Sequence, residues 1–302
     1  MTIQVTKLPD AKPRDRHVAI GVFDGVHKGH QAVIDGADTV LTFDPHPLSV
    51  INPDAAPKLI MPFEVKRDVI DGLGVEELVV IPFDEEFMKI PAEEFISRIL
   101  VEQLGAKQVS VGENFRFGAK AKGTPEMLAE REEFETRIVP LVEVDGETVS
   151  SSRIRALIGA GEVDAAMRCL GAPFMVEGKV AEGDRRGREL GFPTANLAFD
   201  YHAQLPKLGI YLGAVSVPER GVGPGHPALV SVGVRPTFHD DGRVLVEVYL
   251  LDWDGDLYGA KLSVELISRL RDERRFASVT ELVEQMRADE TEARRRLARD
   301  GG

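Results

Sequence analysis

From the start of the chain to about residue 145, short β-branched runs alternate with helical stretches. The runs HVAIGVF (17–23), TVLTF (39–43), EELVVIPF (76–83), KQVSV (107–111) and ETRIVPLVEV (135–144) predict strands, and 63–72, 91–104 and 125–132 predict helices. Such alternation predicts an α/β doubly wound parallel sheet with helices on both faces. Ligands of these sheets bind beyond the carboxyl ends of the strands, which directs attention to the loops that follow them.

Residues 151–170 read as two short helices, the first opened by Ser150, Ser151 and Ser152, any of which can cap it. Gly171-Ala172-Pro173 then breaks the pattern, and the texture changes to strands punctuated by Gly and Pro: 174–181, 194–199, 209–217, 227–234, 243–251 and 258–267. We therefore expect one domain over 1–171 and a second, all-β domain over 172–302, built as a small barrel or sandwich. A closing helix over about 279–298 is announced by the capping box Ser278-Val279-Thr280-Glu281 and carries an apolar stripe at Val279, Leu282, Val283 and Met286.

The 302 residues suffice for two domains, each with its own core. A hydrophobic fraction of 43% and a charged fraction of 29% describe a globular chain, and no apolar run approaches the roughly 20 residues a membrane span needs. The N-terminal MTIQVTKLPDAKPRDRH lacks an apolar region, so no secretory signal is expected. Cys169, the single cysteine, reads as a buried position on a short helix and fits a reducing cytoplasm. The net charge of −13 argues against nucleic acid as a partner, because polyanion binding needs clustered Lys and Arg. Small phosphorylated ligands remain compatible, and Arg116, Lys120 and Lys122, then Arg185, Arg186 and Arg188, form two local cationic clusters.

The segment GVFDGVHKGH (21–30) lies between the first strand and a helix, where backbone N–H groups and the helix dipole receive phosphate. Gly25 and Gly29 allow close backbone approach, and His27 and His30, three apart, share a helical face from which both can donate to phosphate oxygens. Nucleotidyl transfer needs mainly positioning and charge stabilisation, so the lack of a nucleophile is no obstacle. The same residues with Asp44 and His46 of TFDPHP (42–47) could instead begin a zinc site, although no thiolate accompanies them. Only eight residues separate His30 from the strand at 39, so the intervening helix should have about two turns.

In the second half, GKVAEGDRRGRELGFPTANL (178–197) sets Gly183, Gly187 and Gly191 among three arginines, a donor-rich loop or equally a solvated turn. Pro193 fixes entry to a strand on which Thr194 and Asn196 point the same way, offering hard oxygen ligands suited to Mg²⁺ carrying a nucleotide. Glu247 is the lone charge of VLVEVYLL (244–251), on the solvent side of a strand or half-buried for a purpose; half-buried, it could act as general base toward a hydroxyl.

Taken in order, GVFDGVHKGH, TFDPHP, GENFRFG (112–118) and SSSRIR (150–155) resemble the adenylyltransferase half of the bacterial bifunctional riboflavin kinase/FAD synthetases, a variant of the H-x-G-H nucleotidyltransferases. PTAN (193–196), VEVYLLDWDGDLYG (246–259) and LRDERRF (270–276) resemble that family's riboflavin kinase half, a six-stranded Greek-key barrel with a C-terminal helix. The resemblance implies that His27, His30, Gly25, Gly29, Ser151 and Arg155 contact ATP phosphates, and that Asn114, Asp44 and Phe115 contact the flavin. It also implies that Thr194 and Asn196 bind Mg–ATP with Gly183 and Arg188 nearby, and that Glu247 deprotonates the ribityl 5′-hydroxyl. Ser231 of SVGVRPT stands where the family commonly has asparagine, and Phe115 and Phe117 can equally be plain core. The implied substrates are ATP with Mg²⁺, riboflavin and FMN, in the cytoplasm, with a homo-oligomer left open. Two rivals stand beside this: a riboflavin kinase with a weak N-terminal half, and a flavin-binding regulatory protein without turnover.

Overall fold

The computed structural model describes residues 2–181, 191–234 and 244–300. The chain divides into two compact units, Met1–Ser151 and Ser152–Gly302.

The first unit holds a six-stranded parallel sheet of β1 (Gln4–Lys7), β2 (Arg16–Ile20), β3 (Thr39–Asp44), β4 (Glu77–Pro82), β5 (Ala106–Gly112) and β6 (Glu135–Val139), in the order β1-β4-β3-β2-β5-β6. Alternate residues of the central strands feed two cores, as a sheet covered on both faces requires. Val18, Ile20, Leu41, Val79 and Ile81 pack with Phe95, Ile96, Ile99 and Leu100, whereas Ala19, Val40, Leu78 and Val80 pack with Val33, Ile34 and Ile70. Those partners come from α1 (Lys28–Ile34), α3 (Phe63–Gly72) and α4 (Ala92–Glu94, continuing as a π-helix over Phe95–Gln103); α2 (Pro47–Ile51) and α5 (Pro125–Ala129) are short. The doubly wound expectation is met. At seven residues α1 has the two turns that its short crossover demands.

Two strand expectations need correction. The segment 135–144 is one strand only to Val139; Pro140 has no N–H to continue the ladder, and the chain turns into a hairpin, β7 (Glu143–Val144) with β8 (Glu147–Thr148). The hairpin's Asp145 and Gly146 both have positive φ, 57° and 76°, as a tight antiparallel turn requires. Strand β1 is not anticipated by the sequence, since QVTK is an edge strand with mostly exposed side chains.

Two helices, α6 (Ser151–Ala160) and α7 (Val163–Leu170), precede the barrel, and Cys169 is buried on α7 as expected. Strands β9 (Phe174–Ala181), β10 (Ala195–Ala198), β11 (Gly209–Val217), β12 (Val222–Val234), β13 (Val244–Leu250) and β14 (Lys261–Arg271) close into an antiparallel barrel, β10-β13-β12-β11-β14-β9. Consecutive β11, β12 and β13 form a meander, and β14 returns beside β11, which is the Greek-key arrangement. Helix α8 (Val279–Asp300) covers part of the outer face. Its capping box forms with a shift: Ser278 Oγ accepts from Glu281 N–H at 3.2 Å, and Glu281 returns to Ala277 N–H at 3.1 Å. Of the sequence stripe, Leu282, Val283 and Met286 are half-buried and only Val279 is exposed. Val279 is 61% exposed, and the helix is held farther along by Ala293 and Leu297 against Leu212, Leu229, Tyr249 and Leu251, with Asp289 gripped by Arg271 at 2.7 Å.

Candidate active sites

Leaving aside the edge strand β1, the sheet order runs outward in both directions from β2 and β5, so the topological switch point lies between them. A crevice at that point, beyond the carboxyl ends, is where an open α/β sheet binds its ligand. The turn Gly21–His27 leaves β2 there, and Glu113–Gly118 leaves β5.

The turn is bent by its backbone. Gly25 has φ +88°, and a Cβ there would meet Ile60 Cδ1 at 3.0 Å; Phe23 and Val26 also adopt positive φ, 54° and 37°, uncommon for such side chains. What fixes the turn is burial of Phe23 and Val26 in the core and the side chain of Asp24, 5% exposed, whose Oδ1 accepts the N–H of Ile60 at 3.0 Å. Ser151 Oγ donates to Asp24 O at 2.9 Å, so the serine run is tied to the turn.

His27 caps α1: its Nδ1 accepts the backbone N–H of His30 at 3.3 Å, which leaves the ring proton on Nε2 as a donor. The two imidazoles stack with centroids 3.6 Å apart and planes 16° from parallel, and Phe23 meets His30 edge-on at 5.3 Å. Gly29 makes room, since a Cβ there would meet the His27 ring at 3.2 Å. Burial (6% exposed) drives the His27 imidazole down to about 4, against an opposing contribution from a backbone hydrogen bond. His30 is pushed well below the ordinary histidine range by burial and then by the neighbouring His27 and Lys66 charges. At neutral pH both rings are therefore uncharged hydrogen-bonding groups. Among the described residues no cluster of three or more His, Cys, Asp or Glu side chains is placed to hold a metal ion, and the zinc alternative finds no support.

Lys66 is the residue that sequence reasoning missed. It lies in the helix predicted over 63–72, where Phe63, Val69 and Ile70, three and four residues away, set it on the apolar face, and it is only 9% exposed. Its Nζ reaches Val22 O at 3.3 Å and Thr42 Oγ1 at 3.4 Å, beneath the glycine-rich turn. Asp44, the last residue of β3, is exposed, as are Asn114 and Arg116; Phe115 is half-buried and stacks on buried Phe117 at 5.6 Å. Arg155 is half-buried on α6. Gly183, Arg185, Arg186, Gly187 and Arg188 lie outside the described residues.

On the barrel, pairing across three strands assembles the second set. Asn196 of β10 lies opposite Glu247 of β13, and Glu247 opposite Ser231 of β12. Directly paired residues share a face, so amide, carboxylate and hydroxyl form one row across the sheet. The alternating neighbours Ala195, Leu197, Val230, Val232, Val246 and Val248 are buried inside the barrel, which puts the row on the outer face. Glu247 is half-buried there, not freely solvated, and Tyr249 on the same face packs edge-on against Phe192 at 5.3 Å. Thr194 is half-buried immediately before β10.

Two compact units each gather one set of polar side chains, and the family matches define the class as a two-domain transferase that uses ATP. Comparison with known proteins narrows it. Residues 10–153 match the FAD synthetase family and residues 170–297 the riboflavin kinase family. The bifunctional riboflavin kinase/FMN adenylyltransferase of Pseudomonas fluorescens is 35% identical over 305 residues, 96% of each chain, and that of Bacillus subtilis 35% over 292 residues, 91% of this chain and 90% of the other. The chain belongs to the bifunctional riboflavin kinase/FMN adenylyltransferase family. A solved structure named as a macrolide-efflux protein from Streptococcus pneumoniae covers 97% of this chain and 99% of its own, with TM-score 0.85 and 32% identity. Among the described residues no helix is long and apolar enough to cross a membrane.

Proposed function

We propose that the family's two activities are divided between the two sites, adenylyl transfer at the turn after β2 and riboflavin phosphorylation at the outer-face row of the barrel. In the first, a phosphate oxygen of FMN attacks the α-phosphorus of ATP, the new P–O bond forms as the α–β bridge breaks, and pyrophosphate leaves. His27 Nε2–H and His30 donate to phosphate oxygens, the backbone at Gly25 and Gly29 lets them come close, and Ser151 and Arg155 bind farther along the triphosphate. Asn114 and Phe115, in the loop after β5, and Asp44, at the carboxyl end of β3, take the flavin. In the second, the riboflavin 5′-hydroxyl attacks the γ-phosphorus of ATP, its proton passes to Glu247, and ADP leaves.

Thr194 and Asn196 offer hydroxyl and amide oxygens beside Glu247, a hard donor set that fits Mg²⁺ with bound nucleotide. The ion would neutralise charge on the phosphates; Asn196 and Thr194 would hold it in register with the base. Gly183 and Arg188 would complete the ATP site. A cytoplasmic location agrees with the substrates and with the lone buried cysteine. We propose the functional division near residue 172.

The observation that carries this reading is that both sets of polar side chains, scattered in sequence or hidden in a turn, come to one place each: the stacked pair His27 and His30, and the row Asn196, Glu247 and Ser231. Glu247→Gln tests it, because it removes the proton acceptor and keeps the shape. Riboflavin phosphorylation, followed by chromatography of riboflavin, FMN and FAD, should fall by about a hundredfold to ten-thousandfold. FMN supplied directly should still become FAD. Wild-type phosphorylation by the glutamine variant would overturn the assignment.

A further inference from the structure

The two histidines of the adenylyl-transfer site are uncharged at neutral pH, so they supply hydrogen bonds and no net positive charge. At the turn itself, a phosphate received only by these neutral donors would lose its hydration without a compensating charge close by. Lys66 is the buried cation beneath the same turn. Its ammonium has two neutral oxygens for partners, Val22 O at 3.3 Å and Thr42 Oγ1 at 3.4 Å, with the Phe63 ring at 5.6 Å from the charge. Asp24 and Asp44 act on it through space, and the Asp24 carboxylate receives the Ile60 N–H at 3.0 Å. A nearly buried ammonium held by two long bonds to neutral oxygens is under-compensated, since an uncompensated buried charge is costly. Its stem rises from the first turn of α3 to the carboxyl ends of β2 and β3, the edge of the sheet that faces the ligand.

We propose that Lys66 is a substrate-binding residue of the adenylyltransferase, its ammonium contacting the β- and γ-phosphates of ATP and then the pyrophosphate that leaves. This rests on the assignment of adenylyl transfer to the turn after β2. In it the protein divides the work: neutral imidazoles aim hydrogen bonds, Lys66 supplies charge beneath the turn, and Arg155 supplies it farther along the triphosphate. Burial pushes the Lys66 ammonium down from the ordinary lysine range and the two aspartates pull it back, so the bound polyphosphate would further favour its charged form.

The reverse reaction isolates this site from the kinase, which also binds ATP. A pyrophosphate oxygen attacks the adenylyl phosphorus of FAD, the bond to the FMN phosphate breaks with its electron pair, and ATP and FMN form. For Lys66→Met the KM for pyrophosphate should rise by about tenfold to a hundredfold. The KM for FAD should stay within about twofold, because the flavin and adenosine contacts are elsewhere. Lys66→Arg, which keeps the charge, should recover most of the pyrophosphate affinity, and Lys66→Gln repeats the measurement if the methionine variant is poorly folded. Equal changes in both KM values, or a lower kcat with both KM values unchanged, would overturn the proposal and leave Lys66 as a brace for Val22 and Thr42. If His27→Ala with His30→Ala left both directions of the reaction intact, the site assignment itself would fail, whatever Lys66 does.

Discussion

The turn after β2 and the outer face of the barrel reach the same end, polar groups fixed where phosphate arrives, by opposite routes. In the turn both imidazoles come from one stretch of ten residues, and backbone conformation does the positioning: Gly25 at φ +88°, Phe23 and Val26 forced positive, His27 capping its own helix. On the barrel, residues 196, 231 and 247 are brought together by strand pairing alone. The first site is therefore sensitive to local backbone strain and the second to register, where a one-residue slip of β13 would carry Glu247 inside the barrel and away from Asn196 and Ser231. Their chemistry differs accordingly. Buried neutral rings suit orientation of phosphates, whereas a half-buried carboxylate suits removal of a proton.

The sharpest way to separate the two regions is to remove the imidazoles. His27→Ala with His30→Ala should lower FAD formation from FMN by about a hundredfold or more, the usual cost of losing preorganised donors, and leave riboflavin phosphorylation near normal. Gly25→Ala probes the backbone route: forcing a Cβ into positive φ beside Ile60 should destabilise the first unit by about 1–2 kcal/mol and slow adenylyl transfer, read by thermal unfolding and the same assay. A smaller effect should come from acid. With the folded His27 value near 4 and its ordinary value 6.5, the unfolded chain binds the proton first. Stability from this group is complete above about 6.5 and falls as pH drops toward 4, by about 1 kcal/mol for the first unit of pH below 6.5. His27→Gln should flatten that slope in unfolding curves. The smallest change is expected at Ser231→Ala, which removes one end of the barrel row; a few-fold loss of kinase activity with FAD formation from FMN unaffected would place the hydroxyl in a supporting role beside Glu247.

Much of the fold could be read in the sequence because the strands announce themselves. Phe174–Ala181 and Gly209–Val217 fall where alternation and turn residues put them, and the doubly wound half follows from its β-branched runs. The chain was less legible where context overrides pattern. Gln4–Lys7 becomes a strand only because β4 offers it an edge, and Pro140 ends β6 inside what reads as one apolar run. The capping stripe of α8 is exposed at Val279 because the helix meets the barrel a few turns later, a fact set by packing. At the sites, His27, His30, Thr194, Asn196 and Glu247 stand out by motif. Lys66 does not stand out by motif, although Phe63, Val69 and Ile70 at helical spacing set it on the apolar face of α3; that its ammonium ends under the turn is set by the tertiary structure.

The central claim is that each site works alone. Mixing two defective proteins tests it most directly: the Glu247→Gln variant, expected to lack kinase activity, and the His27→Ala, His30→Ala variant, expected to lack adenylyl transfer. Supplied with riboflavin and Mg–ATP, neither should make FAD by itself, and the mixture should make it, with FMN passing through solution from one protein to the other. A mixture that makes no FAD, although both variants show native thermal unfolding, would contradict the account.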